Sequence, residues 1–256
     1  MVDGAEAAAL QRAATQCGVI RRDQALVAGL TARQIERRLD SGRWAVMFPG
    51  VYRVEGAPTG FRQTLHAAAL WAARDYAFSH RTAATLWGFG RYPEGPVELV
   101  LARHGRPPPG LVVHRVPELS FHDVRLVDGL RVTTRTRTLV DLAGDEAGED
   151  LRATVDEALN RRWVSLDQLE AELEKRSHRR GLAVVRALVR RYRGGDGPSE
   201  SELEARVLEL LEGAGVQHVE RQRRLVVGGR LRRLDFRLRG TPTSTASRRT
   251  ARGATR

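Results

Sequence analysis

The sequence predicts an α+β fold made of several domains, and three observations support this. Helical periodicity followed by a β-hairpin marks the amino-terminal part, while helices and short strands alternate through the middle. A helix followed by two alternating strands comes last, and breaks rich in Gly and Pro separate the three parts. The predicted domains are 1–56, 61–193 with a small sheet, and 198–240, followed by a tail at 241–256.

Composition narrows the function classes. The chain has 256 residues, 41% of them hydrophobic, and a formal net charge of +12, which favours a polyanionic partner. Lys175 is the only lysine, so the charge is almost all arginine, a bias that GC-rich coding also produces. Cys17 is the only cysteine, which excludes an intrachain disulfide. Without a signal peptide or a long apolar run, we expect a soluble cytoplasmic protein with no membrane contact.

The residue pattern of segment 18–54 predicts short helices, a tight turn and a hairpin. Asp23 is placed to cap one helix, which Gly29 ends. Thr31 caps the next helix, and Gln34 three residues later completes a capping box. Ile35 and Leu39 share the apolar face of this second helix, because residues four apart lie on the same side.

A helix-turn-helix followed by a hairpin is the layout of a winged helix, whose second helix enters the major groove of DNA. The remaining faces of that helix and the hairpin carry the basic residues. The predicted DNA-binding residues are Thr31, Arg33, Gln34, Arg37, Arg38, Arg43 and Arg53. The alternative is a small helical bundle with a solvated arginine face.

The middle of the chain predicts an α+β domain in the order of two helices, short strands and four helices. Strands are expected at Val97–Ala102 and Leu111–Val116, with further short runs near Val124 and Val132. Helices are expected at about 61–74, after Ser79, and at about 136–143, 149–160, 166–176 and 181–192.

The middle part contains several titratable residues that are candidates for a catalytic or metal-binding site. Ser79 and His80 are adjacent, and His104, His114 and His122 lie near predicted strands, but no pair has a recognisable ligand spacing. We therefore predict no enzyme, no metal and no cofactor here, with Ser79 acting as a helix cap. The arginines of the segment TTRTRTLVDLA are expected to contact an acidic partner or Asp141.

The carboxy-terminal part begins like a restriction-endonuclease core. Ser199 and Glu202 open a predicted helix, and two strands follow, the second of which carries Asp235. Glu202 and Asp235 could occupy two of the Mg²⁺-binding positions of such a core, or Asp235 could be an ordinary exposed strand residue. The next strand is missing, because residues 241–256 contain no large apolar residue; this end is either disordered or frameshifted. We therefore predict an incomplete, inactive nuclease-like fragment.

The order of several motifs resembles a known family. These motifs are GVIRRDQALVAGLTARQIERRLDSGRW, SHRTAATLWGF, VTTRTRTLVDLA and DEALNRRWVSLDQLEAEL. Together they resemble actinobacterial AbiEi-like antitoxins of type IV toxin–antitoxin systems. The segment PSESELEARVLELLEGAGV with RRLDF resembles the start of a domain of unknown function related to very-short-patch-repair endonucleases.

The resemblance implies a winged helix that binds double-stranded operator DNA and represses its own operon. It also implies a middle domain that counters a nucleotidyltransferase-like toxin without forming a stable complex with it. Two other functions remain open from the residues alone. One is a nuclease that the winged helix delivers to DNA, and the other is a protein-interaction module whose basic surface is incidental.

Overall fold

The computed structural model combines helices with small sheets, which confirms the α+β class. The chain divides into two compact units, Met1–Arg193 and Gly194–Arg256. The residues that the structure describes are 4–90, 92–102, 106–145, 148–177, 179, 181–194, 219–227 and 230–238.

The first unit begins with a three-stranded antiparallel sheet and three helices, and its strand order is β1-β3-β2. Helix α1 precedes the segment from which the module was predicted, and it packs Ala9 and Ala13 against Ile20 and Ile35. The elements are α1 (Gly4–Ala14), β1 (Val19–Arg21), α2 (Arg22–Val27), α3 (Ala32–Asp40), β2 (Trp44–Phe48) and β3 (Val51–Val54).

The capping prediction holds for α3 and is wrong for α2. The Gln34 N–H donates to Thr31 Oγ1 over 3.2 Å, and the Thr31 N–H donates to Gln34 Oε1 over 2.7 Å. Helix α2 instead starts after Arg21, so Asp23 lies in its first turn and forms an ion pair with Arg21. Asp23 therefore still places a negative charge at the helix start, where the helix dipole favours it.

The apolar core continues across residues 57–60, which the sequence predicts as a linker. Val51 of β3 belongs to the same buried cluster as Leu65 of α4 (Phe61–Ala72). The Gln63 amide, buried on α4, donates to the Cys17 carbonyl over 3.0 Å. This bond fixes α4 against the turn that precedes β1.

A five-stranded mixed sheet with the order β6-β5-β4-β8-β7 follows α4. Strand β4 was not predicted, although it is buried and pairs with β5 and β8. Helix α5 follows β4 directly, and a 3-10 turn at Phe121–Asp123 precedes β7. The elements are β4 (Tyr76–Phe78), α5 (His80–Trp87), β5 (Val97–Leu101), β6 (Leu111–Arg115), β7 (Val124–Val127) and β8 (Leu130–Thr133).

Four helices complete the first unit, as the sequence predicts. Leu139, Leu151, Leu169 and Val185, one from each helix, are buried in one apolar cluster. The predicted capping box of α8 is present, since the Gln168 N–H donates to Ser165 Oγ over 3.2 Å. These helices are α6 (Arg135–Asp145), α7 (Glu149–Asn160), α8 (Leu166–Lys175) and α9 (Ala183–Arg193).

The described part of the second unit is an antiparallel pair, β9 (Val219–Val227) and β10 (Arg230–Leu238), as predicted. Asp235 lies on β10. The predicted helix with Glu202, and the tail at 241–256, lie outside the described residues. Among the helices that are described, none is long and apolar enough to cross a membrane.

Candidate functional site

Helix α3 presents two arginines to solvent. Ile35 is fully buried and holds the helix against the core of the first three-stranded sheet. Arg33 and Arg37, four residues apart, are exposed on the opposite side, and they share it with the acidic Glu36. This face therefore offers two guanidinium groups from a helix whose own position is fixed by packing and by its cap.

Arg38 does not face solvent, contrary to the sequence expectation. It is 6% exposed, and its Nη1 donates to the Gln34 carbonyl over 2.8 Å. Its Nη2 lies 3.1 Å from Glu6 Oε2 on α1, and its guanidinium lies 5.9 Å from the Trp44 ring. Arg38 therefore joins α1, α3 and β2, and it is removed from the candidate DNA-contacting set.

The other predicted contact residues lie around α3. Arg43 is exposed, with its Nη1 3.5 Å from Glu6 Oε1, and Arg53 Nη2 on β3 lies 3.3 Å from Glu55 Oε2. Thr31 and Gln34 use side-chain oxygens in the cap of α3. The arginines thus lie beside α3 and along the hairpin, while Thr31 and Gln34 fix the helix start.

A second polar group of residues lies in the middle of the first unit, which we call the histidine–carboxylate cluster: His80, Glu98, His114 and Asp145. They come from the start of α5, from β5, from β6 and from the end of α6. One ligand-type atom from each lies within 4.8 Å of the others. The parallel pairing of β5 with β6 brings Glu98 and His114 together.

The cluster has an ordered set of contacts. His80 Nδ1 lies 2.9 Å from Ser79 Oγ, and His114 Nε2 lies 2.9 Å from Glu98 Oε2. The two other ring nitrogens approach one oxygen, because Asp145 Oδ2 lies 3.6 Å from His80 Nε2 and 3.8 Å from His114 Nδ1. The imidazole rings stack with centroids 3.5 Å apart.

Burial keeps His80 neutral. Desolvation first, and then the charges of His114, Arg179 and Arg137, lower the pKa of His80 to about 2. His80 also has φ +49°, a left-handed conformation that is uncommon for a residue other than glycine. Such a conformation persists only where the surrounding structure enforces it.

A buried ion-pair network lies next to the cluster on α6. Asp141 is fully buried, and its two carboxylate oxygens accept from Arg137 Nε over 2.7 and 2.8 Å. Arg179 also pairs with Asp141, and Arg137 Nη1 lies 3.2 Å from Asp123 Oδ2. The sequence predicts that Arg137 contacts either an acidic partner or Asp141, and the structure shows the contact with Asp141.

Arg135 lies between two tryptophans, with its guanidinium 4.6 Å from the Trp87 ring and 5.4 Å from the Trp163 ring. This is the geometry of a cation–π contact. Its Nε is buried without a hydrogen-bond partner among the residues that the structure describes. It lines an open cavity of about 530 Å³, which Asp123 and Glu172 also line.

Two family models match the first unit, one over residues 8–54 and the other over 76–190. The first is described as a transcriptional regulator, AbiEi antitoxin, and the second as the AbiEi antitoxin C-terminal domain. The chain belongs to the AbiEi antitoxin family. The resemblance inferred from the motifs is thereby confirmed for these two regions, and DNA binding and transcription regulation are the roles associated with them.

One solved structure similar to this AbiEi chain is the crystal structure of the RV2827C protein from Mycobacterium tuberculosis. The two are 18% identical, and the match covers 68% of this chain and 72% of that one with a TM-score of 0.49. A search of curated proteins found no match.

The two family regions contain the two groups of residues described above. Arg33 and Arg37 lie within the amino-terminal match, and the histidine–carboxylate cluster lies within the second. Glu202 and Asp235 lie outside both, so their assignment to a nuclease-like fragment stays a prediction.

The histidines show no recognisable ligand spacing along the chain, and the sequence does not mark Glu98 or Asp145 as partners of His80 and His114. Glu98 is buried inside the apolar strand VELVL, and a charged residue in such a strand is the one signal that could have marked it. Asp145 carries no comparable signal, since it ends a helix at a half-exposed position.

Proposed function

We propose that the amino-terminal module is a winged helix that binds double-stranded DNA upstream of its own gene and represses its operon. The exposed pair Arg33 and Arg37 on the capped helix α3 is the observation that carries this proposal. The order of helices and strands, with α3 followed by the β2–β3 hairpin, supports it. Membership of the AbiEi family, whose first model is described as a transcriptional regulator, supports it independently.

The arginines on α3 and those beside the hairpin have distinct expected roles. A guanidinium can contact guanine O6 and N7 through two hydrogen bonds, or it can contact phosphate oxygens. We assign base or phosphate contacts in the major groove to Arg33 and Arg37. Arg43 and Arg53 beside the hairpin are assigned to phosphate contacts, which set affinity and orientation rather than sequence preference.

The middle domain, in this proposal, acts as the antitoxin and counters a nucleotidyltransferase-like toxin in the cytoplasm. Support comes from the match of residues 76–190 to the AbiEi antitoxin C-terminal domain. Co-expression of the full chain with a nucleotidyltransferase-like toxin tests this part: growth should be restored, and continued growth arrest would contradict the antitoxin role.

Arg37→Ala should weaken binding to the upstream DNA of the gene. If Arg37 reads a base, the loss should be about 1–3 kcal/mol; if it contacts phosphate, the slope of log affinity against log salt should fall by about one. Fluorescence anisotropy at several salt concentrations separates these outcomes, because only phosphate contacts change the slope. Footprinting on the same DNA locates the site.

Arg161→Ala is the matched control, since Arg161 is an exposed helix-end arginine in the middle domain and its loss changes the net charge equally. Its affinity and footprint should equal those of the wild type. Unchanged binding by Arg37→Ala, or an equal loss in both variants, would contradict the assignment of α3 as the DNA-reading helix.

A further inference from the structure

We propose that His80, His114 and Asp145 bind one divalent transition-metal ion of the zinc class, with Ser79 and Glu98 orienting the two histidines. The site lies in the middle domain, and it is independent of DNA binding by α3. Its ligands come from α5, β6 and α6, so the ion would connect three elements that are otherwise joined by packing.

The distances fit a single ion. Zinc binds imidazole nitrogens at about 2.0–2.1 Å, so two ligands of a tetrahedral ion lie roughly 3.3–3.4 Å apart. Asp145 Oδ2 lies 3.6 Å from His80 Nε2 and 3.8 Å from His114 Nδ1, slightly more than this spacing. These two distances must shorten slightly, and the His114 ring must also turn, before the three atoms reach ligand positions. Two imidazoles favour zinc and its transition-metal neighbours over Mg²⁺ or Ca²⁺, which prefer oxygen.

The remaining contacts of the cluster are those of an outer ligand shell. A metal-binding histidine usually donates its second ring N–H to a carboxylate or another acceptor, which fixes its tautomer. His114 Nε2 has Glu98 Oε2 at 2.9 Å, and His80 Nδ1 has Ser79 Oγ at 2.9 Å. Each histidine thus uses one nitrogen within the protein and directs the other toward Asp145.

The backbone and the surroundings agree with this assignment. His80 has a strained φ of +49°, and its ring lies against that of His114. Because the rings now stack at 15° to each other, binding requires a turn of the His114 ring about Cβ–Cγ, a torsion with broad wells. The Asp145 side chain is 51% exposed and the His114 side chain is 22% exposed, so an ion can reach the cluster from solvent.

The charges of the cluster also suit a divalent cation. Asp145 and Glu98 supply two carboxylates that can balance the ion's charge. Two arginines near His80, Arg179 and Arg137, both pair with the buried Asp141, and these pairs reduce the repulsion that a cation would meet.

Titration of the full, untagged chain with Co²⁺ and then Zn²⁺, after treatment with a chelator, tests the site. We expect one equivalent of Co²⁺ with a visible absorption band, which Zn²⁺ displaces. Zn²⁺ at about a hundred times its Kd should raise the Tm by about 5–10 °C, because it binds only the folded state. Absence of binding, or only weak binding of several ions, would overturn the proposal.

Variants identify the ligands. Asp145→Asn and His114→Ala should lose more affinity than the about 10–100-fold that removal of an outer-shell partner costs, which is the loss expected for Glu98→Gln. His122→Ala is the control, since His122 lies in the same unit outside the cluster and should bind as the wild type. Circular dichroism confirms that each variant is folded, and Asp145 is exposed enough for its replacement to be tolerated. Wild-type affinity in Asp145→Asn and His114→Ala would refute the ligand set.

Discussion

Asp141→Asn should remove about 3–5 kcal/mol from the free energy of unfolding, as expected when one member of a buried ion pair is lost. Asp141 is fully buried, and its carboxylate accepts both short bonds from Arg137 Nε. Arg137 is 1% exposed, so its guanidinium would keep its charge inside the protein and lose its Asp141 partner, while Asp123 stays at 3.2 Å. Urea unfolding followed by circular dichroism measures the change.

Glu157→Ala is the matched control for Asp141→Asn. Arg161 Nε lies 3.0 Å from Glu157 Oε1, at the same four-residue spacing on a helix, but the arginine side chain is 61% exposed. Exposed helix pairs of this kind contribute about 0.3–0.5 kcal/mol, so this variant should be nearly as stable as the wild type. Similar losses in the two variants would show that burial does not set the strength of the Asp141 pair.

The double variant Arg137→Met with Asp141→Leu distinguishes the net contribution of the ion pair from the cost of leaving one buried charge unpaired. Replacing both members of a buried pair by apolar residues of similar volume is often neutral, whereas removing one is costly. The double variant should therefore be more stable than Asp141→Asn. A double variant that is less stable would mean that Asp123 and Arg179, left without these partners, dominate the network.

Local signals in the sequence predicted two of the helix caps correctly, whereas Ser79 occupies the N-cap position of α5 without a side-chain cap hydrogen bond. Thr31 with Gln34, and Ser165 with Gln168, are capping boxes that depend on residues three apart, and both are present. Asp23 failed as a cap because the hydrogen bond from the Arg21 N–H to Gln24 Oε1 starts α2 earlier. The side chains of Asp23 and Gln24 are both hydrogen-bond acceptors near the start of α2, and the sequence alone does not show which of them sets that start.

The features that the sequence does not predict depend on contacts between residues far apart in the chain. Arg38 is buried because its guanidinium forms an ion pair with Glu6 on α1. Helix α1 lies outside residues 18–54, from which the module is predicted. The histidine–carboxylate cluster forms because β5 pairs in parallel with β6 and because the end of α6 brings Asp145 close to His80, Glu98 and His114. Residue spacing along the chain carries no information about contacts between distant elements, which is why His80 and His114 show no recognisable ligand spacing in the sequence.

Gly181→Ala should destabilise the middle domain by about 2–5 kcal/mol, from two separate causes. The φ of Gly181 is +82°, where a side chain costs about 1–2 kcal/mol. A Cβ at Gly181 would also lie 2.0 Å from the Ala143 carbonyl oxygen, and relieving such overlap costs about 1–3 kcal/mol. Since Ala143 and Gly144 belong to the last turn of α6, the clash would displace Asp145 as well.

Gly110→Ala isolates the first cause, because Gly110 has φ +86° but nothing lies within 4 Å of an added Cβ. It should lose only about 1–2 kcal/mol, so the difference between the two variants in urea unfolding measures the contact of Gly181 with α6. If that contact also positions Asp145, Gly181→Ala should weaken Co²⁺ binding while Gly110→Ala leaves it unchanged. Equal losses of stability in the two variants would mean that α6 yields to the added methyl group, and Asp145 would then be held by its own helix rather than by the close approach of Gly181.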